Sequence, residues 1–502
     1  MNLIEMLEES ARRYSNRIAL IFERRRISYR KLSEAVSRLA TGLLALGIKS
    51  GEKIGILLSN SPEYVFSYFG GLKAGAIVVP LNSFLKTEEL KYILEDAGAR
   101  FLITSSDFLE MANQLRLRVE SLEKIIIVDK KVSGTISFEE LLASLPLKSG
   151  PVLLPEEVGL LLYTSGTTGH PKGVMLTHQN LLSNALSCTR AIRISKRDNF
   201  ICLLPMFHSF TFTVCILIPL SVGGRVTIVA SVKPFRKVIR CILINRVTVL
   251  VGIPALYNLL VNFNLPRLFF LFRFLNPLRF CISGAASLPV EVLARFEKKF
   301  HLPLLEGYGL TETSPVVSFN PLKGMRKPGS VGLPLSGIEV KVVDKTGKRL
   351  LAGEVGELLV KGANVMKGYY NRPEETKEVL REGWLATGDL AKIDEDGYIY
   401  IVERKKDMVN VRGLNVYPRE VEEIFYHHPA VAEAAVIGIK DEERGEVPIA
   451  YIVLKEGKKI TEKELLSFCR ERIASYKVPK RIIFKTSLPK TITGKILKKE
   501  LR

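Results

Sequence analysis

The sequence predicts an α/β protein with a large N-terminal domain of layered α/β subdomains plus a β-rich subdomain, followed by a small C-terminal α/β domain. Three observations carry this prediction. Residues up to about 160 alternate amphipathic helical stretches with short β-branched runs, the rhythm of parallel strands joined by helices. Between 329 and 400 the texture changes to short alternating runs with frequent Gly, as in IEVKVVD, GELLVKG and GYIYIVE. The chain has 502 residues, more than one hydrophobic core usually supports, which suits about three folding units.

The elements follow in order. A helix over 29–45 precedes a strand at 53–58, a helix over 62–74 and the strand AIVVP. Further strands are expected at 225–230 (RVTIVA), 247–254 (VTVLVGIP) and 279–285 (RFCISGA). Each ends in Gly, Pro or small residues, where ligand sites of open α/β sheets sit. After Arg404 come the helix PREVEEIFYHH, the strands EAAVIGI and IAYIVL, and a helix from Glu462. Thr461 and Glu464 have the spacing of a capping box at the start of that helix. The charged run ERKKD marks the main boundary: residues 1–403 form the N-terminal domain, β-rich from about 329, and residues 404–502 the C-terminal one.

The formal net charge of +21 suits anionic partners such as nucleic acid, nucleotides, CoA or an acidic membrane surface. Nucleic acid is not the expected partner: the cations are spread along the chain, and zinc-finger, RNP-type and basic-zipper patterns are absent. The six cysteines, Cys188, Cys202, Cys215, Cys241, Cys281 and Cys469, contain no CxxC pair and read as buried thiols of a reducing compartment. The N-terminal stretch lacks the apolar core of an export signal, so a cytoplasmic location is expected. The run FICLLPMFHSFTFTVCILIPLSV is interrupted by Pro205, His208 and Pro219 and reads as buried core or substrate tunnel, not a membrane span. The stretch between Leu265 and Phe280 mixes Phe and Leu with Arg267, Arg273 and Arg279. That composition suits peripheral contact with the inner membrane face or a helix packed on its own domain. A homodimer is compatible with the sequence.

The strongest chemical signal is Tyr163-Thr-Ser-Gly-Thr-Thr-Gly-His-Pro-Lys-Gly-Val174, directly after an apolar strand. Glycines let backbone N–H groups turn toward an anion, hydroxyls add donors and Lys172 adds charge. Thr164, Ser165, Gly166, Thr167, Thr168, Gly169 and Lys172 therefore form a candidate phosphate cradle. It is not a GxxxxGK[ST] loop, because Lys172 lies between Pro171 and Gly173.

This segment resembles the phosphate loop of the adenylate-forming superfamily of acyl-CoA synthetases, peptide-synthetase adenylation domains and luciferases, and further motifs match in order along nearly the whole chain. The resemblance implies ATP, Mg²⁺ and CoA as partners. PMFH (205–208) resembles the aromatic-His motif beside the carboxylate pocket, which assigns His208 to catalysis and to the acyl site. SGAA (283–286) matches a segment lining the acyl and adenine pockets, implicating Gly284 and Ala285. EGYGLTE (306–312) resembles the adenine motif: Gly307 and Tyr308 meet the base, Gly309 the acyl pocket, Thr311 a phosphate, and Glu312 with Thr164 the metal, through the oxygen ligands Mg²⁺ prefers. In WLATGD (384–389) Asp389 corresponds to the ribose-binding acid. Ile401 belongs to the nucleotide set, and Arg404 to the arginine that reaches ribose and phosphate. Lys406 falls at the family hinge, about which the small domain rotates between two half-reactions. PKTITGK (489–495) resembles the motif whose last lysine, here Lys495, binds carboxylate and α-phosphate. Arg412 and Gly413 fall at the thiol tunnel.

The implied chemistry is attack of a carboxylate on the α-phosphorus of ATP, giving acyl-AMP and pyrophosphate, then transfer of the acyl group to a thiol. Lys172, Arg404 and Lys495 offset the repulsion of two anions. GYGLTETSPVVSFNP, RKKDMVNVRGLNVYPREVEEI and LPKTITGKILKKELR look most like bacterial medium- or long-chain fatty acid CoA ligases. Phe212, four residues after His208, falls where such relatives carry an aromatic gate; plain core packing is the competing reading. Other readings stay open: another acid, a carrier-protein acceptor, or a non-catalytic basic protein of the same fold bound to membrane or nucleic acid. Glu403, where the family has Gly or Asp, and Arg412, where it has a small residue, depart from the pattern.

Overall fold

Runs that are apolar throughout fold as strands covered on both faces, and they assemble two large, mainly parallel sheets. The structure is a computed structural model that describes residues 1–147, 149–164, 171–262, 277–411, 414–441, 445–491 and 494–501. Its nine-stranded sheet runs in the order Leu333–Pro334, Val316–Phe319, Leu304–Gly309, Phe280–Ser283, Val249–Gly252, Asn199–Cys202, Arg225–Ile228, Ile18–Phe22, Arg25–Ser28. From Leu304–Gly309 to Ile18–Phe22 the neighbours are parallel. Asn199–Cys202, Val249–Gly252 and Phe280–Ser283 are buried at every position, as the centre of a doubly covered sheet requires.

The eight-stranded sheet runs Gly368–Tyr369, Lys172–Thr177, Val158–Thr164, Ile77–Pro80, Lys53–Leu57, Ala99–Thr104, Lys124–Ile127, Ile136–Ser137. Helix Tyr29–Ala45 shows why the helices form where the pattern places them. Ser28 accepts a hydrogen bond from Lys31 N at its start, and Leu32, Val36, Leu39, Ala40 and Leu43 supply one buried stripe. A single core joins this helix to both sheets through Leu39, Phe69, Phe101 and Phe200.

Two five-stranded sheets complete the fold. The first pairs Ile338–Val343, Gly356–Gly362, Trp384–Ile393 and Ile399–Arg404 in antiparallel fashion, with Leu380–Arg381 at its edge. Its last strand ends at Arg404, where Asp407 N and Met408 N donate to Arg404 O and turn the chain. Val409–Val411 then opens the second, which contains Leu414–Val416, Gly445–Leu454, Val431–Asp441 and Arg481–Phe484. The capping box is present: Glu464 N donates to Thr461 Oγ1 at 3.3 Å, and Thr461 N donates to Glu464 Oε2 at 2.8 Å.

Among the described residues no helix is long and apolar enough to cross a membrane. The apolar run after residue 200 instead breaks into Ser209–Phe212, a widened π-type turn at Thr213–Leu217 and Ile218–Ser221, almost wholly buried. The stretch between Leu265 and Phe280 lies outside the described residues as far as 276. Its described end belongs to the domain interior, since Arg279 pairs with Asp198 and Phe280 is fully buried. Five of the six cysteines are buried; Cys241 is only half-buried, packed against the edge of the core cluster that holds Val238 and Ile242.

Candidate active site

Two antiparallel strands flank the phosphate-loop motif. Val158–Thr164 and Lys172–Thr177 are antiparallel neighbours, with Thr164 directly opposite Lys172. Ser165, Gly166, Thr167, Thr168 and Gly169 between them lie outside the described residues. Lys172 Nζ pairs with Glu375 Oε2 and stands 5.3 Å from the centre of the Tyr369 ring. The Tyr369 hydroxyl donates to Glu312 Oε1 at 3.0 Å. Strand Gly368–Tyr369 holds this group together by pairing with Lys172–Thr177. Tyr369 and Glu375 carry no mark in local sequence; the nearest signal is the aromatic and charged run GYYNRPEE (368–375).

The oxygen donors of Glu312 and the loop hydroxyls are what a hard cation prefers, and one carboxylate plus substrate phosphates is the usual way a protein holds Mg²⁺. Among the described residues no cluster of three or more His, Cys, Asp or Glu could hold a metal by itself.

Asp389 is the charged centre of a second group. It is buried, accepts a hydrogen bond from Tyr308 Oη at 2.5 Å on Oδ2, and pairs through Oδ1 with Arg404 Nε at 2.6 Å. Burial raises the Asp389 carboxyl above its ordinary value, and Arg404 opposes that rise. Strand pairing produces the contact: Asp389 and Arg404 are direct register partners across Trp384–Ile393 and Ile399–Arg404. Tyr308 reaches them from the end of Leu304–Gly309 in the nine-stranded sheet. Gly307 lies in the same strand. A Cβ on Gly309 would stand 1.8 Å from Pro315 O, so that glycine is required by the close return of the chain, whatever else it meets.

Lys495, from the far end of the sequence, joins this group. The residue is exposed at the surface, yet its ammonium is crowded by packed atoms and by the charges of Arg404 and Asp389. Desolvation and the neighbouring Arg404 lower it to about 8, against the pull of Asp389. Lys495 N donates to Thr491 Oγ1 at 3.0 Å. Gly494, at φ +74°, passes so close to Ile253 that an added Cβ would stand 2.5 Å from Ile253 Cδ1. The C-terminal loop is thus seated against the end of strand Val249–Gly252.

His208 caps the short helix Ser209–Phe212, accepting from Phe210 N on Nδ1 at 3.3 Å. Burial lowers its imidazole to about 4, so it is neutral at pH 7 with its proton on Nε2. Ser209 brings Thr311 near, their hydroxyl oxygens 3.5 Å apart. Gly284 follows strand Phe280–Ser283 and packs under Phe210, where a Cβ would stand 2.6 Å from the ring; Ala285 follows at φ +66°. Phe212 stacks on Tyr68 with ring centres 3.8 Å apart. With Ser209, Thr213, Met206 and Phe207 these rings bound a void of about 10 Å³, room for one water at most.

Lys406 lies in the turn between the two small sheets. Arg412 and Gly413 are outside the described residues. Glu403, the departure from the family pattern, is buried and ties the domains together, accepting from Arg404 N at 2.9 Å and Arg419 N at 3.0 Å. Arg419 Nη1 donates to Ile401 O at 2.5 Å. Lys498 Nζ lies 3.5 Å from Glu403 and 2.9 Å from Glu422. These partners come from positions whose local sequence shows only a polar helix and a basic tail.

The family model described as AMP-binding enzyme matches residues 7–370, and that of the AMP-binding enzyme C-terminal domain matches residues 420–495. A long-chain-fatty-acid–CoA ligase of Bacillus subtilis (strain 168) is 36% identical over 99% of this chain and 94% of its own length. A feruloyl-CoA synthase of Amycolatopsis sp is 37% identical, covering 95% of this chain and 93% of the relative. Among solved structures, the anthranilate CoA ligase AuaEII in complex with anthranoyl-AMP superposes with a TM-score of 0.92 at 32% identity, covering 100% of this chain and 96% of that one.

Proposed function

The chain belongs to the AMP-binding enzyme family and is an acid–thiol ligase of its AMP-forming class; from that premise we propose that its acid is a medium- or long-chain fatty acid, joined to CoA through acyl-AMP. ATP and CoA are the co-substrates the family implies. The observation that carries the site is the meeting of Asp389, Arg404 and Lys495, brought together from two strands of one sheet and a C-terminal loop.

In this reading Asp389 accepts the ribose hydroxyls, Tyr308 meets adenine, and Arg404 bridges ribose and phosphate. His208, neutral, donates Nε2–H toward the acid's carboxylate. Lys172 leaves Glu375 for the pyrophosphate side when ATP enters, because a polyphosphate outcompetes one carboxylate for an ammonium. Thr164 and Glu312 would hold Mg²⁺, which supplies charge neutralisation on the phosphates. Lys495 stands where charge gathers as the carboxylate oxygen attacks the α-phosphorus. The N-terminal domain ends at 403, and rotation about Lys406 afterwards withdraws Lys495 and admits the thiol past Arg412 and Gly413.

The deciding experiment incubates the protein with ATP, Mg²⁺, CoA and acids from acetate to palmitate, with ferulate and anthranilate alongside. Thioester formation is expected to peak among the fatty acids. A peak with an aromatic acid overturns the fatty-acid reading, and acyl-AMP that accumulates without thioester moves the acceptor from CoA to a carrier protein.

Two predictions belong here. The void beside Phe212 is too small for an acyl chain, so the ring must swing off Tyr68 or the chain must stop there. Phe212→Ala should raise the ratio of kcat/KM for palmitate over octanoate on the order of tenfold, since each methylene in an apolar pocket is worth about 1 kcal/mol or more. An unchanged ratio assigns Phe212 to core packing. The second concerns pH. Lys495 must be protonated to offset anionic charge, and its free-enzyme value is about 8. Adenylation kcat/KM should therefore fall as pH rises through that value, and Lys495→Arg, which stays charged, should flatten the fall.

A further inference from the structure

From Asn199 to Val290 the sequence contains no Asp or Glu, while Lys and Arg recur through it. In the fold this acid-free stretch surfaces at helix Phe235–Ile244. Val238 and Ile242 anchor the helix in the domain, packed in one cluster with Val247 and Leu250. That anchoring turns Arg236, Arg240 and Leu243 onto one outer face, with Lys237 and Ile244 alongside. Leu243 and Ile244 are 42% and 59% exposed, and Val232, just ahead of the helix, is 42% exposed. Lys233 before the helix and Arg246 after it are exposed as well. Arg279 of this stretch pairs with Asp198. Among the described residues Arg236, Lys237 and Arg240 form no salt bridge, and their own stretch offers no carboxylate.

A single exposed leucine needs no explanation. Two exposed aliphatic side chains on one helical side, a third just ahead of the helix, and cations without salt bridges beside them form a different kind of surface. We propose that this face seats the protein on an anionic bilayer, with Lys233, Arg236, Lys237 and Arg240 on the phosphate headgroups and Val232, Leu243 and Ile244 at the acyl boundary. Charge complementarity chooses an anionic partner. The aliphatic side chains choose a bilayer over a soluble polyanion, which would engage the cations and leave Leu243 and Ile244 in water. The inference stands apart from the identity of the acid, because binding is read without turnover.

The test is flotation of the full chain with vesicles of phosphatidylcholine alone or with about 40 mol % phosphatidylglycerol, near physiological salt. Binding is expected only to the anionic vesicles. At about fivefold per cation, R236E/K237E/R240E should lower partitioning at least 100-fold. L243S/I244S should lower it roughly tenfold. K458E/K459E/K463E, a matched reversal on exposed lysines of the C-terminal domain, should change it less than about threefold. Unaltered adenylation rates report that the variants are folded, and R236Q/K237Q/R240Q replaces the charge reversal if that variant fails to fold. The proposal is overturned by equal binding to both vesicle types, by equal losses in the two lysine and arginine triples, or by full binding of L243S/I244S, the last pointing to a soluble polyanion such as nucleic acid.

Discussion

Lys495→Ala should lower acyl-AMP formation on the order of 10²–10³-fold, the cost of removing one preorganised charge from a developing oxyanion. The same variant should convert supplied acyl-AMP and CoA to thioester at a rate within about threefold of the parent protein, because in the second step no charge builds at phosphorus. The physical case rests on where the ammonium sits. Its loop is seated against Ile253, and burial and then the Arg404 charge lower its value while Asp389 opposes them. A cation held in that balance is raised and tightened when two anions enter. Pyrophosphate release and thioester formation, measured separately, check the result. Equal loss of both half-reactions would contradict a role confined to one domain orientation.

Asp389→Ala should cost on the order of 10²-fold in kcat/KM for ATP, with most of the loss in KM. A site built to hydrogen-bond a hydroxyl pair loses the binding energy of both when its acceptor goes. The variant should also be less stable by about 1–3 kcal/mol, since it leaves the Tyr308 hydroxyl without its acceptor and Arg404 without its counter-charge. That range is kept low because about a third of the Arg404 side chain is solvent-exposed, at 35%. Asp389→Asn separates the two effects: it keeps a hydrogen-bond acceptor for Tyr308 while removing the charge that faces Arg404. Stability near that of the parent with ATP binding still weakened is the expected pattern, read by denaturant unfolding and by titration with ATP. Undiminished ATP affinity in both variants would remove Asp389 from the nucleotide site.

Much of the secondary structure was legible because it depends on local patterning. The stripe Leu32, Val36, Leu39, Leu43 and the capping residue Ser28 define a helix without reference to anything distant. The capping box at Thr461 and Glu464 does the same. Alternating runs such as IEVKVV became antiparallel strands with their register set by neighbours of like pattern. Where reading by pattern failed, the reason was long range. Glu403 looked like a departure in a solvated charge run, yet it is buried because Arg419 and Lys498 of the C-terminal domain arrive to satisfy it. Tyr369 and Glu375 acquire their contact with Lys172 through a short edge strand, Gly368–Tyr369, that nothing in its own sequence announces.

The candidate site divides along the same line. Side-chain type and motif order were enough to single out Thr164, His208, Glu312, Asp389, Arg404 and Lys495 by the chemistry each can perform. Which of them stand close to one another was decided by tertiary structure alone. Asp389 and Arg404 meet because two antiparallel strands set them in register, and Tyr308 reaches them from the end of a strand in another sheet. Lys495 comes near them only because the C-terminal domain docks its loop against Ile253. A sequence determines which groups can carry charge or donate a proton. Sheet register and domain docking decide which of those charges are close enough, and dry enough, to act on one another.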